Sequence, residues 1–343
     1  MPFSLHFSPT PLITAPSPLS KPFFLVPYYH TLHAPKSPLC SSMEHALTHQ
    51  GKQEAFDRRP EDSQTLPLGL RRDAMPSHVA VIMDGNRRWA RLRDLPVRSG
   101  YEAGVESLRK IVEICCKWGI KVLSVFAFSS DNWFRPKVEV EFLMSLFERG
   151  MQEDTGIFFR ENIRISVIGD LTKLPKALQE LMVNLEEATK NNTRFQLIVA
   201  VSYSGHYDVV QACQRLALKA KCGLIEPSDI NVSLMEQELE TNCTEFPHPD
   251  LLIRTSGEFR ISNFMLWQLA YTELFFAQSL WPDFGEAEFL KALLAFQQRQ
   301  RRYGNQLAQS IYFAVQSGKK LNVMSLELEV DRKRGSTLER PPT

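Results

Sequence analysis

Three polar clusters along the chain have the composition of binding sites for phosphate groups and a metal ion. The first directly follows an apolar run at residues 78–82 and reads Met83-Asp84-Gly85-Asn86-Arg87-Arg88-Trp89. A strand that ends in Gly and enters a helix collects backbone N–H groups at one point, and arginines add forked donors that match phosphate oxygens. Asp84 could hold a divalent cation against the same anion. The alternative is a surface turn with solvated arginines.

The second cluster also stands where a predicted strand ends, and it reads Phe126-Ala127-Phe128-Ser129-Ser130-Asp131-Asn132-Trp133-Phe134-Arg135-Pro136. Ligands of open α/β sheets bind at the carboxyl ends of the strands, so this cluster and the first can face one pocket. Trp133 beside Arg135 indicates a pocket that is apolar on one side and cationic on the other. Ser129 and Asn132 could instead cap the helix that follows.

The third cluster spans residues 250–264 and contains Arg254 and Arg260, six positions apart around a turn of small and hydroxylated residues. This pattern predicts a second phosphate cradle, and the alternative is a solvated loop in which glutamate pairs with the arginines. Glu273 begins a later apolar run, where an unpaired carboxylate would be costly. A metal ion or an arginine partner would account for it.

The elements that position these clusters alternate between strands and helices. Apolar runs at 78–83, 120–128, 163–168 and 195–203 each precede a helix-like segment, at 102–118, 139–161, 174–190 and 206–221. Further strands at 250–255 and 273–276 and a charged helix at 286–302 follow. The pattern predicts an α/β domain with a central, mostly parallel sheet flanked by helices.

The predicted helix at 139–161 has an apolar face, for which two structural explanations are possible. Its apolar residues recur at helical spacing, namely Val140, Leu143, Met144, Phe147 and Met151. They could form ordinary core or the wall of a long apolar channel, and periodicity does not separate the two.

Composition excludes several classes of protein. The chain has 343 residues, is 43% apolar and 23% charged, and carries a net charge of +1, so a basic nucleic-acid-binding surface is not indicated. Its six cysteines lack zinc-ligand spacing and fit a reducing compartment. The sequence has no dinucleotide-binding or P-loop glycine motif and no run of about 18 apolar residues that could span a membrane.

The two ends of the chain differ from its middle. Residues 1–43 lack Asp, Glu and Arg and are dense in Pro and Ser, which predicts a plastid transit peptide or a plain disordered tail. Residues 44–75 read as a polar linker and residues 76–304 as the α/β domain. We expect residues 305–343 to form a largely disordered extension.

Four segments together resemble the cis-prenyltransferases in order and spacing. They are 83–89, 126–133, 253–268 and Trp281-Pro282-Asp283-Phe284, within a match that covers residues 76–304. This family includes undecaprenyl, dehydrodolichyl and plant polyprenyl diphosphate synthases. The resemblance implies a single domain with an apolar substrate tunnel, a homodimer, and elongation of an allylic primer (farnesyl, geranylgeranyl, neryl or dimethylallyl diphosphate) by isopentenyl diphosphate.

The resemblance also implies roles for individual residues. Asp84 would hold Mg2+ on the allylic diphosphate, and Glu273 would support either the metal or the isopentenyl diphosphate site. Either Asp84 or Asn86 acting with the diphosphate would take the released proton. Asn132 would help to orient the reacting ends. The allylic diphosphate would be bound or positioned by Gly85, Asn86, Arg87, Arg88, Trp89 and Arg98, and the reacting ends by Ser129, Trp133 and Arg135. Isopentenyl diphosphate would be held by Arg254, Arg260 and Ser262.

The chain departs from the commoner family pattern at five positions. Tyr101 stands where bacterial members have His, and it will not be cationic near neutral pH, so its phosphate-binding role is in doubt. Ser202 and Ser204 replace Asn and Gly, Ser256 replaces Gly, and Phe259 lies inside the third motif.

The product and the location of the enzyme are further expectations. The spacing from 133 to 170 resembles that of bacterial medium-to-long-chain enzymes, which predicts a C35 to C60 product. The alternatives are a short-chain C10 to C20 synthase and a subunit of a heteromeric dehydrodolichyl diphosphate synthase. We expect a plastid protein, or else one in the cytoplasm or at the ER surface, with peripheral membrane contact through its lipid product.

Overall fold

The computed structural model of the chain describes residues 66–299. Six strands form one sheet, and every neighbouring pair in it is parallel. The strands are β1 (His78–Ile82), β2 (Val122–Ser129), β3 (Ile163–Ile168), β4 (Phe195–Tyr203), β5 (Leu251–Arg254) and β6 (Glu273–Phe276). Their spatial order is β3-β4-β2-β1-β5-β6. The predicted parallel α/β sheet is confirmed.

Seven α-helices cover the sheet in this part of the chain. They are α1 (Asn86–Arg91), α2 (Val97–Trp118), α3 (Lys137–Arg160), α4 (Lys176–Thr189), α5 (Gly205–Lys221), α6 (Val232–Glu238) and α7 (Glu286–Gln297). Short 3-10 turns at Ser130–Phe134 and Trp281–Asp283 flank the polar clusters. Helix α2 begins five residues before its predicted start, directly after Pro96. Helix α6 was missed because its seven residues are too few to show an apolar period.

The sheet is buried on both faces, which is why its strands read as continuous apolar runs. Along β1, Val79 and Val81 pack into the core that contains α2, α3, α4 and α7. Ala80 and Ile82 point the other way, into a second core with Phe264. A strand buried on both sides shows no alternation of apolar and polar residues, so it appears in the sequence as an unbroken block.

The central position of β1 determines where the polar clusters meet. Its neighbours are β2 and β5, and Ile82 pairs with Phe126 on one side and with Arg254 on the other. All three strands therefore end at one edge of the sheet, and the segments that follow them converge there.

The expected transit peptide at 1–43, most of the linker at 44–75 and the extension at 305–343 lie outside the described residues. The last predicted helix, 286–302, ends earlier than predicted, at Gln297 with Gln298 as its C-cap, and residues 300–302 lie outside the described residues. Within residues 66–299, no helix is both long enough and apolar enough to cross a bilayer.

Candidate active site

Asp84 is held in place by main-chain contacts just beyond the end of β1. Its backbone N–H donates to Thr255 Oγ1 at 3.0 Å, and the Thr255 hydroxyl donates to the Asp84 carbonyl at 2.6 Å. The N–H of Trp281 also donates to that carbonyl at 2.9 Å. Because β1 and β5 are neighbours, Arg254 Nη2 then lies 2.8 Å from Asp84 Oδ2. The first and third clusters are parts of one site.

Gly85 makes the sharp turn from β1 into α1. Its φ of +116° is in the left-handed region, and a Cβ added there would lie 3.0 Å from atoms of Leu280. Only glycine takes this conformation without strain in so narrow a space. The turn places Asn86, Arg87 and Arg88 directly beyond the end of β1.

Arg254 is the fixed centre of the site. Its side chain is only 4% exposed, and Nη1 donates at 2.6 Å both to Ser262 Oγ and to the carbonyl of Arg260. Nε is buried, and none of the residues in 66–299 accepts a hydrogen bond from it. A buried donor left unpaired is costly, so Nε is a candidate contact for an anionic ligand.

Arg260 differs from Arg254. Its side chain is 60% exposed and pairs with Glu258. This is the solvated, glutamate-paired arrangement that stood as the alternative for the third cluster. Of the two arginines, Arg254 is the preorganised one.

Arg88 lies between Asp84 and the third cluster. Its Nη2 donates to Ser256 Oγ at 2.5 Å and lies 3.4 Å from Glu258 Oε1. Asp84 Oδ1 is 3.6 Å from the same nitrogen. The first and third clusters therefore share an ion-pair network as well as a strand edge.

In the second cluster, the capping alternative describes Ser129 and Asn132. Asn132 Oδ1 accepts from the Ser129 N–H at 3.1 Å, and together they form a capping box on the 3-10 turn that follows. Both residues also line the cavity described below. The Trp133 indole N–H donates to Ser202 Oγ at 3.0 Å, and its ring packs edge-on against Phe128. Trp133 thus braces the ends of β2 and β4.

Glu139 joins the first and second clusters, and the sequence analysis did not single it out. Tyr101 donates from its hydroxyl to Glu139 Oε1 at 2.7 Å and accepts from Arg135 Nη1 at 2.7 Å. Arg87 Nε lies 3.8 Å from the same carboxylate oxygen. Burial and the hydrogen bond to Glu139 raise the pKa of Tyr101 well above its usual value, so the phenol is a neutral donor. The sequence feature that could have indicated Glu139 is its i, i+4 spacing from Arg135, which favours an ion pair between the two side chains.

The side chains of three predicted site residues contact residues outside the three clusters. Trp89 donates from its indole to Asp283 Oδ1 at 2.7 Å and stacks under the Arg93 guanidinium, so it joins α1 to the turn at Trp281–Asp283. The Arg98 guanidinium lies 5.9 Å from the centre of the Phe142 ring.

Glu273 is the third, and the structure does not bring it to Asp84 within this chain. It begins β6 and pairs with Leu251, whereas Arg254 pairs with Phe276 at the other end of that strand. Glu273 is therefore three residues, or about 10 Å, along β6 from the residue that pairs with Arg254. Arg299 Nη1 donates to the Glu273 carboxylate at 2.6 Å, so Glu273 has an arginine partner, one of the two alternatives that the sequence offered for it.

A cavity of about 980 Å³ opens beside these residues. Asp84, Asn86, Arg254 and Ser262 line it near the sheet edge, and it continues between α2, α3 and the sheet. Leu143, Phe147 and Met151 line the α3 wall. Met144 instead lies in the apolar core. The apolar face of α3 therefore serves both as core and as part of the wall of this cavity, whose lining also includes charged residues such as Arg109, Asp154 and Arg194.

The donor set fits one divalent cation of the magnesium type. No cluster of three His, Cys, Asp or Glu side chains able to hold a metal occurs in the described range. Mg2+ is usually bound through one or two carboxylates together with substrate phosphates, so a single aspartate is sufficient. Asp84 qualifies because, among residues 66–299, no donor forms a hydrogen bond to its Oδ1.

Five arginines and three carboxylates stand at this edge of the sheet, beside a cavity whose α3 wall is apolar, and this arrangement suits a ligand with an anionic head and an apolar tail. Residues 82–304 match the family model described as putative undecaprenyl diphosphate synthase. The chain belongs to this cis-prenyltransferase family, which is a family of transferases.

Individual relatives agree with this placement. The chain is 66% identical over 242 residues to cis-prenyltransferase 4, chloroplastic, of Solanum lycopersicum, which covers 71% of this chain and 79% of that one. It is 51% identical over 232 residues to a (2Z,6Z)-farnesyl diphosphate synthase, chloroplastic, of the same organism, and this match covers 68% of this chain and 80% of that protein. The crystal structure of lavandulyl diphosphate synthase from Lavandula x intermedia, bound to dimethylallyl diphosphate, has a TM-score of 0.66 at 41% identity and covers 68% of this chain and all of that chain.

Proposed function

We propose that this protein is a Mg2+-dependent enzyme that condenses isopentenyl diphosphate with an allylic diphosphate primer and forms a Z double bond at each step. The observation that carries the proposal is the pair of Asp84 and buried Arg254 at the mouth of a 980 Å³ cavity. The charged pair accounts for the diphosphate heads, and the cavity for the growing tail. A phosphatase would need no such channel.

The chemistry divides between two groups of residues at the mouth of the cavity. Mg2+ on Asp84 would neutralise charge on the departing diphosphate. Asn86, Arg87 and Arg88 would bind that diphosphate, while Arg254, Arg260 and Ser262 would bind the head of isopentenyl diphosphate. Donors fixed before the reaction stabilise developing charge without reorganisation, and Arg254, held by three hydrogen bonds, is such a donor.

Asn86 is the better supported of the two candidates for receiving the released proton together with the diphosphate. Asn86 is one of the residues that line the cavity, and its buried Oδ1 accepts no hydrogen bond from any residue of the described range. Asp84 Oδ2 is already bonded to Arg254. An acceptor with no partner is available to align the proton on the isopentenyl carbon with the neighbouring phosphate oxygens.

We place the product in the medium-to-long range, C35 to C60, and the cavity volume argues against the short-chain alternative. At roughly 30 Å³ per carbon, the liquid volume of one water-sized group, 980 Å³ would hold on the order of 30 carbons, which is more than a C10 to C20 chain needs and just below C35. The lining residues of α3 from Leu143 to Phe158 extend over about 22 Å. The competing candidate is a C15 product, because one relative of this chain is named as a (2Z,6Z)-farnesyl diphosphate synthase of tomato.

Product length is tested at Gly150, which lines the cavity and has open space around its Cβ position. Gly150→Leu should shorten the products because it narrows the channel midway along α3. Gly156→Leu, on the exposed surface of the same helix, is the matched control and should leave the distribution unchanged. Chromatography that shows only a C10 or C15 band from the wild-type enzyme would exclude the C35 to C60 product.

The activity itself is tested with the full chain, farnesyl diphosphate, labelled isopentenyl diphosphate and Mg2+. Elongation should be abolished in Asp84→Ala and retained in Glu180→Ala, which removes an exposed carboxylate on α4. Activity that begins only when a second protein is added would indicate the heteromeric alternative. No elongation under either condition would refute the proposal.

The chloroplastic names of the relatives support a plastid location. On this proposal, residues 1–43 are a transit peptide, residues 44–75 a linker and 305–343 an extension of the catalytic domain at 76–304. We further propose a homodimer with peripheral membrane contact through its product. Import of a fluorescent fusion of residues 1–75 into isolated chloroplasts and sedimentation of the purified protein test the two parts separately.

A further inference from the structure

Ser256 occupies a backbone conformation that favours glycine. Its φ is +76°, and the next residue, Gly257, has a φ of +71°. The turn is fixed by main-chain bonds, since the Ser256 N–H donates to the Ser279 carbonyl at 2.7 Å and the Gly257 N–H to the Ala277 carbonyl at 2.9 Å. A side chain at such a position costs of order 1 kcal/mol. Strain kept in place by its surroundings at a ligand site is a reason to look for a function of that side chain.

The Ser256 side chain contacts Arg88. Its hydroxyl accepts from Arg88 Nη2 at 2.5 Å, and its carbonyl accepts from Nη1 at 3.3 Å. Glu258, two residues on, places Oε1 3.4 Å from Nη2. One short turn therefore offers three acceptors to a single guanidinium.

These contacts keep Arg88 from forming a hydrogen bond with Asp84. Arg88 Nη2 is 3.6 Å from Asp84 Oδ1, which is an ion-pair distance but beyond hydrogen-bond range, whereas Arg254 bonds Oδ2 directly at 2.8 Å. If Arg88 also bonded the aspartate, both carboxylate oxygens would be occupied by cations. A divalent ion would then meet two guanidiniums on one carboxylate, and the like charges would repel it.

We propose that Ser256 and Glu258 are positioning residues that hold Arg88 away from Asp84 and so keep Oδ1 open to a divalent cation. The inference rests on the proposed function, because it gives Asp84 the metal-binding role. Arg88 remains one side chain away from the cation, where it can bind the diphosphate that shares the metal. Its exposed side chain can move, whereas Arg254 is buried and fixed.

The test measures metal binding without turnover. Mn2+ is titrated into the full chain in the presence of inorganic diphosphate and followed by electron paramagnetic resonance. Ser256→Ala removes the hydroxyl and keeps the strain, whereas Ser256→Gly removes both. Both variants should weaken Mn2+ binding roughly tenfold, which corresponds to the loss of one charge-assisted hydrogen bond. The Gly variant should also melt at a higher temperature than the Ala variant.

Ser145→Ala is the matched control, since that hydroxyl donates to a backbone carbonyl of α3 and is exposed. It should bind Mn2+ as the wild type does. Unchanged Mn2+ affinity in Ser256→Ala, with weaker binding of diphosphate, would overturn the proposal and leave Ser256 with a role in phosphate binding alone. A wild-type protein that elongates primers but binds no Mn2+ would overturn the metal role of Asp84, whereas failure to elongate refutes the proposed function itself.

Discussion

Two glycines on α2 make room for Asn86, and their replacement should separate activity from stability. A Cβ at Gly104 would lie 2.5 Å from Asn86 Oδ1 and 3.0 Å from Trp281 Cδ1. A Cβ at Gly100 would lie 2.0 Å from the backbone oxygen of Asn86. The first clash is with the end of a side chain that can rotate, and the second is with main chain that cannot.

The magnitudes follow from these distances. To restore an ordinary contact of about 3.5 Å, the Asn86 amide must move by about 1 Å in Gly104→Ala. A misplacement of that size can cost on the order of 100-fold in rate, so we expect kcat to fall by that factor. Alanine gains about 1 kcal/mol of helix propensity over glycine, which offsets the clash, and we expect the free energy of unfolding to change by less than about 1 kcal/mol.

Gly100→Ala and Gly156→Ala complete the series. The first should lose about 3 kcal/mol or more of stability, as overpacking against main chain does. The second is exposed on α3 with open space around its Cβ position, and it should gain about 1 kcal/mol with unchanged kcat. Steady-state elongation with labelled isopentenyl diphosphate and denaturant unfolding measure the two quantities. Wild-type kcat in a folded Gly104→Ala enzyme would show that the position of the Asn86 amide does not matter for catalysis.

Three further predictions concern side chains around the site and the fold. Trp89→Phe loses the bond to Asp283, so we expect about 1 kcal/mol less stability and an unchanged KM for the primer; a raised KM would restore Trp89 as a substrate contact. Tyr101→Phe removes the hydroxyl that joins Glu139 to Arg135, so the KM for the allylic diphosphate should rise several-fold, which primer titrations would measure. Burial, reinforced by the charge of Asp208, raises the pKa of Glu240 from 4.5 to about 7, so the folded state binds more protons than the unfolded one in that range and its stability falls as pH rises through it. The Tm of the wild type relative to Glu240→Gln should therefore decrease between pH 5 and pH 8, and a constant difference would contradict this pKa.

The strands and the three clusters could be predicted because their signals are local. A buried parallel strand is an apolar block, and Asp84 and Arg254 each follow such a block directly. Their meeting follows from the rule that the ends of parallel strands share one edge. The same rule, applied to Glu273, places the first residue of a strand at the opposite edge. The sequence thus already contained the reason why Glu273 does not join Asp84 in this chain.

The partners of individual side chains were not available from the sequence. Trp89 bonds a residue 194 positions away, and Trp133 one that is 69 positions away. Which residue faces which depends on the register of strands and on the angle at which a helix leaves the sheet, and neither leaves a local pattern. Glu139 was overlooked for the same reason, since an acidic residue in the first turn of a helix is also explained by the helix dipole.

The charges of the site explain how it can be both folded without substrate and selective for diphosphates. Five arginines pair with three carboxylates: Arg87 and Arg135 with Glu139, Arg88 and Arg260 with Glu258, and Arg254 with Asp84. The network therefore carries two more positive charges than negative ones, and this excess attracts a diphosphate. Before the diphosphate binds, each of the five arginines already has a carboxylate partner.

The pairs of the exposed Arg88 and Arg260 with Glu258 can exchange partners at little cost, because surface ion pairs contribute at most about 1 kcal/mol each. The pairs of largely buried Glu139 and of Asp84 with buried Arg254 cannot, since breaking a buried pair costs several times more. Diphosphate binding should then proceed by replacement of Glu258 around Arg88 and Arg260, while Ser256 keeps its bonds to Arg88 and Arg254 stays in place. Primer affinity should accordingly fall steeply with salt in the wild type and less steeply in Arg88→Gln, which removes one of the exchanging charges. Equal salt slopes for the two proteins would mean that Arg88 does not take part in the exchange.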